Sequence, residues 1–431
     1  MSPLQRELKK RIKNNPTPLI HLAKLRHRLN ITILVCLTIQ IFSASFSIAV
    51  SSIAFGIWGG LWIIETLFLD RKLLYDKDTF KELKWINIFI GLYIFIDFLS
   101  RLFAFYPEDA LIGIKRNLLF LIFFVCIIKV YDKKILFNLL IAVLVIQALI
   151  SLGELTQYII SISEGMNKPF GEIRIDYLAY PLTSGEIKMM IFFLFFPLIF
   201  LKGRSMFMDK RVLVGLLVPV LISMILTQSR NVFIALFVCM IIVGILINKK
   251  FLLTFLAVII IGGLFLPSKY TERIKSITDL DHPSNAPRLT MWQNGWKMFV
   301  NNPIIGVGDN KVMEVYQYYR PEMTQNEHSH LHSNIMMILA TNGITGFAVW
   351  VGLFLMIFLK FIKYYRMKLP EEYKLMILGA ILVLVSFHIS GIFEWSYGDA
   401  EVFSVLFFIL SVPFNIYKFN ISTTFKSYIY N

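Results

Sequence analysis

The sequence predicts an all-α, polytopic integral membrane protein, with about twelve transmembrane helices and one large outer (periplasmic) loop containing short helices. Three observations lead there. Of its 431 residues 57% are hydrophobic and the mean hydropathy is +0.66, whereas the apolar share of a soluble domain is about half. Apolar runs of about 20 residues, each able to cross a hydrocarbon core about 30 Å thick, recur along the whole chain. Lys and Arg collect between alternate runs, as they do in cytoplasmic loops. Because the runs are continuous and do not alternate with polar residues, a β-barrel is excluded.

In chain order, residues 1–29 are a basic tail with Arg6, Lys9, Lys10, Arg11, Lys13, Lys24, Arg26 and Arg28, which should stay in the cytoplasm. This long polar stretch has no small-residue cleavage site, so the first span is expected to direct insertion itself. Residues 30–266 hold nine spans. Two fill 30–69, turning near Val50, Ser51 and Ser52, with Glu65 the one charge. A basic inner loop follows, then spans at 85–105, 111–130 and 135–152, an outer loop of mixed charge at 154–188, and spans at 189–201, 212–226, 232–247 and 251–266. The large outer loop covers 267–333. Residues 334–419 carry an interfacial helix and spans at 344–362, 375–393 and 402–416, before a second cytoplasmic tail at 420–431. An even count puts both termini inside. No internal repeat is visible, which weakens a transporter built from two similar halves.

The net charge of +15 is accounted for by this topology and by contact with membrane lipids, so no nucleic-acid partner is expected. Cys36, Cys126 and Cys239 all lie inside apolar runs and say nothing about redox compartment.

Chemically capable residues concentrate at outer helix ends. Arg230 ends Thr227-Gln228-Ser229-Arg230. It is either a snorkelling side chain or an anion clamp, with Ser229 and Thr227 adding hydroxyls. Arg288 opens a segment in which Leu289, Trp292, Trp296 and Phe299 recur at helical spacing, predicting an amphipathic helix on the membrane surface. Near that helix's N-terminus the backbone donors already favour an anion. His328, His330 and His332 alternate, but three such histidines are a weak zinc signal. His332 stands out because Ser333 and Asn334 are good helix-start residues and an apolar run follows as far as Asn342-Gly343. A neutral imidazole held there can take a proton. Asp279-Leu280-Asp281 is too short a motif to argue for a metal, and no metal or cofactor is expected. Asp97 and Arg101 are spaced to pair on one helix face. Arg101, with Lys115 and Arg116, extends a candidate phosphate-binding cavity, and Glu394 is a candidate to orient a base.

These residues resemble the O-antigen ligase and polymerase superfamily of membrane glycosyltransferases. The signature is His332-Ser333, nine residues, then Gly343-Ile344-Thr345-Gly346, preceded by Arg288…Trp292, Asn302-Pro303…Gly306-Val307-Gly308 and Thr227-Gln228-Ser229-Arg230. The resemblance implies metal-independent, inverting glycosyl transfer at the periplasmic face of a bacterial inner membrane. It implies a donor glycan on undecaprenyl diphosphate and, for a ligase, a sugar hydroxyl of the lipid A core as acceptor. His332 would then be the general base, while Arg288 and Arg230 hold the departing diphosphate. The ligase is favoured over a polymerase or a protein O-glycosylating relative. A lipid or polysaccharide transporter is the alternative from another class, but its ionisable groups should lie near mid-membrane.

Overall fold

The computed structural model describes residues 17–69, 77–110, 113, 115–163, 174–178, 180–203, 205–265, 271–272, 275–276, 279, 281–282, 285–320 and 330–429, and among these every regular element is helical. His328 and Leu280 lie outside the described residues.

Helices α1 (Thr17–Ser43) and α2 (Ile48–Ile64) form a hairpin. Its turn falls at 44–47, not at the expected 50–52. Ser47 caps α2 by accepting a bond from the Val50 N–H at 3.3 Å, while Ser51 is buried inside the helix and donates to Gln40 O. A hydroxyl serves equally as a cap and as a helix-interior donor, so composition alone misplaced the turn. The chain continues through α3 (Lys77–Leu102), a 3₁₀ stretch (Lys115–Phe120) leading into α4 (Leu121–Lys129), α5 (Lys133–Ser163), and α6 (Pro181–Phe195) with its 3₁₀ extension (Phe196–Phe200). Then come α7 (Lys210–Leu226), α8 (Arg230–Leu246), α9 (Lys249–Leu264), α10 (Ala286–Asn301), α11 (Val312–Tyr318), α12 (Asn334–Tyr365), α13 (Glu371–Ser390) and α14 (Ala400–Ile429).

Eight helical segments among the described residues are long and apolar enough to cross a membrane. The other four of the twelve expected spans fall on shorter helices: α7 and α8 have 17 residues, α9 has 16 and α4 has 9. The expected outer loop at 154–188 is also corrected, since α5 extends to Ser163 and α6 starts at Pro181. Its two end residues, Glu154 and Lys188, pair across these helices at 2.7 Å, each side chain 1% exposed. Opposite charges that neutralise one another inside a bundle look like loop residues when the chain is read one segment at a time.

Burial sorts the helices. In α6, α13 and α14, 83%, 78% and 83% of the apolar stretch is buried, against 28–33% for α1, α2, α3 and α12. Helices apolar on every face become the hub, and the others pack around them. α13 packs on α6, α8, α12 and α14, and α3 packs on α12.

The Pro/Gly corner, Asn302 to Gly308, is built into a break in α12. Gly343 adopts φ 65 and ψ −167 inside that helix, a conformation that glycine reaches without steric cost. The break releases backbone groups that the corner then satisfies: Val307 N–H donates to Ala340 O and Gly308 N–H to Thr341 O, both at 2.9 Å, and Ile344 N–H donates to Pro303 O at 2.8 Å. The backbones approach so closely that a Cβ on Gly306 would lie 2.3 Å from the Thr341 carbonyl carbon.

Candidate functional site

The turn between α13 and α14 holds the start of α12. Asn334 N–H donates to Gly391 O at 2.7 Å and its Oδ1 accepts from Tyr397 N–H at 3.0 Å. Ser333 is the N-cap of α12, accepting from Met336 N–H. His332 precedes it at φ 46, a left-handed conformation that histidine tolerates better than most side chains. Its Nδ1 lies 3.0 and 3.1 Å from the two Glu394 oxygens. With Nδ1–H donating to that carboxylate, the neutral ring carries its lone pair on Nε2, an atom that can accept a proton.

Glu394 is the junction of the site. Besides His332 it takes Trp395 N–H at 3.1 Å, Arg288 Nη2 at 3.4 Å and the edge of His330 at 3.6 Å. Burial pulls its pKa upward. The His332 hydrogen bond and the charges of His332, His330 and Arg288 outweigh that and hold it below its ordinary value of about 4.5. His330 Nδ1 accepts the His332 backbone N–H at 3.2 Å, and the two rings meet edge to face with centroids 4.3 Å apart. The ligand atoms of His330, His332 and Glu394 all lie within 4.8 Å of one another, close enough for a divalent ion.

Two cavities flank this junction. One, of about 550 Å³, is lined by Arg230, Asn231, Asn285, Arg288, Trp292 and Phe393, together with two aliphatic side chains. The other, of about 970 Å³, is lined by His330, His332 and Glu394 with Glu186, Asp399 and Trp395 among others. The first is cationic and aromatic, the second rich in carboxylates. Arg230 is the first residue of α8, and its Nη1 donates to the Ser276 carbonyl and hydroxyl at 3.1 and 3.2 Å. Arg288 projects from the first turn of α10. That helix is docked on protein through Met291, Asn294, Gly295 and Met298, while Trp296 is 50% exposed. The stripe buried in protein is thus distinct from the Leu289, Trp292, Trp296 and Phe299 face expected on the membrane surface, and Leu331 lies against it at Gly295. Trp292 Nε1 donates to Leu331 O at 3.0 Å, tying α10 to the histidine segment.

The remaining candidates fall elsewhere. Ser229 is fully buried and donates to Pro181 O at 3.1 Å, so its hydroxyl fixes the α7–α8 turn. Arg101 is bound by Asp97 at 3.0 Å and Asp309 at 2.8 Å, and Arg116 reaches Asp309 at 3.0 Å. Lys115 is exposed. None of these four lines either cavity. The acidic partner Asp309 follows the Pro/Gly corner directly, so both arginines are paired beside that corner. Asp279 Oδ1 accepts Asp281 N–H at 3.1 Å, a local turn contact. Sequence reasoning missed Asn231, Glu186 and Asn285. A carboxylate at 186, just ahead of the apolar run that begins at 189, was the available signal for one of them.

Residues 214–351 match a family model described as O-antigen ligase. Over 110 residues the chain is 29% identical to the teichuronic acid biosynthesis protein TuaE of Bacillus subtilis (strain 168), an alignment spanning 26% of this chain and 22% of that protein.

Proposed function

The chain is a member of the O-antigen ligase and polymerase superfamily of multi-pass membrane proteins, and from that premise we propose that it is a metal-independent, inverting glycosyltransferase. In this reading the donor is a glycan carried on undecaprenyl diphosphate, and the acceptor is a sugar hydroxyl of the lipid A core. Twelve helices cross a bacterial inner membrane, both termini are cytoplasmic, and the site opens to the periplasm. The observation that carries the reading is the His332–Glu394 pair beside the cavity lined by Arg230 and Arg288.

The acceptor hydroxyl approaches His332 from the carboxylate-lined cavity. Its proton passes to Nε2 as its oxygen bonds to the anomeric carbon. The bond from that carbon to the diphosphate oxygen breaks on the opposite face, and the electron pair leaves with the undecaprenyl diphosphate. Glu394 keeps Nδ1–H oriented and stabilises the imidazolium that forms. Arg288 and Arg230 meet the charge that grows on the leaving diphosphate, where preorganised donors are most effective. Formation of polymer from repeat units is the second reading, favoured by the likeness to a protein named for teichuronic acid biosynthesis.

Product analysis tests this directly. The purified chain is given a lipid-linked glycan and a choice of core lipid A, a second repeat unit or a protein acceptor, with and without EDTA. Transfer to core lipid A that persists in EDTA is expected. Transfer to a second repeat unit alone replaces ligation by polymerisation, and EDTA inhibition reversed by zinc overturns the metal-independent mechanism in favour of the His330, His332 and Glu394 ligand set.

A further inference from the structure

Asn231 follows Arg230 in the first turn of α8 and lines the same cavity of about 550 Å³. It is 4% exposed. Its Nδ2 uses both protons, donating to Glu186 Oε1 at 2.8 Å and to Ser390 Oγ at 2.7 Å. Its Oδ1 has no hydrogen-bond partner among the described residues. The amide is held this way round because both neighbours of Nδ2 act as acceptors: the Ser390 hydroxyl gives its proton to Glu186 Oε1, which also accepts from Ser396. A buried carbonyl oxygen without a donor is unfavourable and uncommon.

What would satisfy that oxygen must bring a proton. An ionised diphosphate has only acceptors, and these suit Arg230 and Arg288 instead. A sugar hydroxyl or an acetamido N–H does bring one. The rest of the wall agrees with a sugar, since the Trp292 and Phe393 rings stand 6.3 Å apart on the same cavity and offer apolar surface to the C–H face of a pyranose. The Glu186 that holds Nδ2 lines the neighbouring carboxylate-rich cavity, so the Asn231–Glu186 contact lies in the partition between the two.

We propose that Asn231 is a specificity residue that accepts, through Oδ1, a hydrogen bond from a hydroxyl or acetamido N–H on the sugar attached directly to the donor diphosphate. This rests on the reading that Arg230 and Arg288 hold that diphosphate. The sugar is thereby fixed at the partition, with its anomeric carbon toward the His332 side.

The test uses the full chain in lipid nanodiscs and a set of polyprenyl diphosphate monosaccharides, each lacking one hydroxyl or the acetamido N–H. Binding is measured without any acceptor, so the result does not depend on transfer. One position should stand out in the wild type, its removal weakening binding about tenfold. In Asn231→Ala that position becomes silent, while the others behave as before. Asn231→Ser, a smaller disturbance of the Glu186 network, repeats the measurement if the alanine variant fails to fold. A flat wild-type profile, or an unchanged profile in the folded variant, overturns the proposal. Arg288→Ala should weaken every member of the set equally. If it weakens none, the diphosphate assignment fails while the Asn231 profile is still read on its own.

Discussion

At the scale of single residues, the proposed mechanism depends on a base and the group that orients it. His332→Ala should lower the rate of transfer by on the order of 10²–10⁴-fold, the usual contribution of a positioned base, with donor binding largely retained. Steady-state kinetics with separate donor titration checks both, and full activity would remove His332 from the mechanism. Glu394→Gln should lower kcat more than it changes KM, because an amide still accepts Nδ1–H but brings no charge to the imidazolium. The carboxyl's lowered pKa also sets a pH dependence. A folded-state value below the ordinary one contributes stability that is fully present above the ordinary carboxylate range and is lost as pH falls through the lowered value. Thermal melts of wild type and Glu394→Gln should therefore differ above the ordinary carboxylate range and converge only as the pH falls below it. Convergence at higher pH would mean that His332, His330 and Arg288 do not outweigh burial at this carboxyl.

At the scale of elements, the glycines of the signature have a backbone role. Gly343 breaks α12, and a Cβ there would lie 2.4 Å from Ile304 O, while one on Gly346 would lie 2.3 Å from Asn342 Cβ. Gly343→Ala should therefore cost more than the roughly 1–3 kcal/mol of an ordinary strained backbone position, since the corner at 302–308 must also move. Gly60→Ala, in α2 with nothing within 4 Å of the added Cβ, should instead gain about 0.5–1 kcal/mol. Melting of the two variants in one detergent separates the cases, and equal melting temperatures would contradict the tight docking of the corner on α12. The spacing of His332 from Gly343 was legible in the sequence, and so was the short helix between them. The partner of Gly343 was not, because hydrogen bonds between the broken helix and a corner some 40 residues earlier leave no periodic trace.

At the scale of the whole molecule, buried polar pairs tie the helices together. Glu154 on α5 accepts from Lys188 on α6 and from Ser223 on α7 at 2.6 Å, while Glu65 pairs with Lys129. Removing one partner leaves a charge without compensation in a low-dielectric interior, a loss of about 3–5 kcal/mol, whereas removing both is often close to neutral. Lys188→Met should therefore sharply reduce thermal stability and yield of folded protein, and Lys188→Met with Glu154→Gln should recover most of it. Additive losses in the double variant would show that the two side chains act independently.

The sequence by itself determined the all-helical, multi-pass class, the concentration of functional groups at helix ends, and His332 as the histidine placed at a helix start. These follow from apolar run length, charge placement and local capping, all of which are properties of neighbouring residues. Only the tertiary structure decided which groups meet. It brings Glu394 to His332 from 62 residues away and sets Arg288 and Arg230 on one cavity. It also assigns Arg101 and Arg116 to Asp309 and leaves Asn231 Oδ1 unpaired beside the proposed diphosphate site. An arginine that clamps a ligand and one that braces a loop are the same residue type at the same kind of helix end. What separates them is whether the side chain lines a cavity, and packing alone decides that.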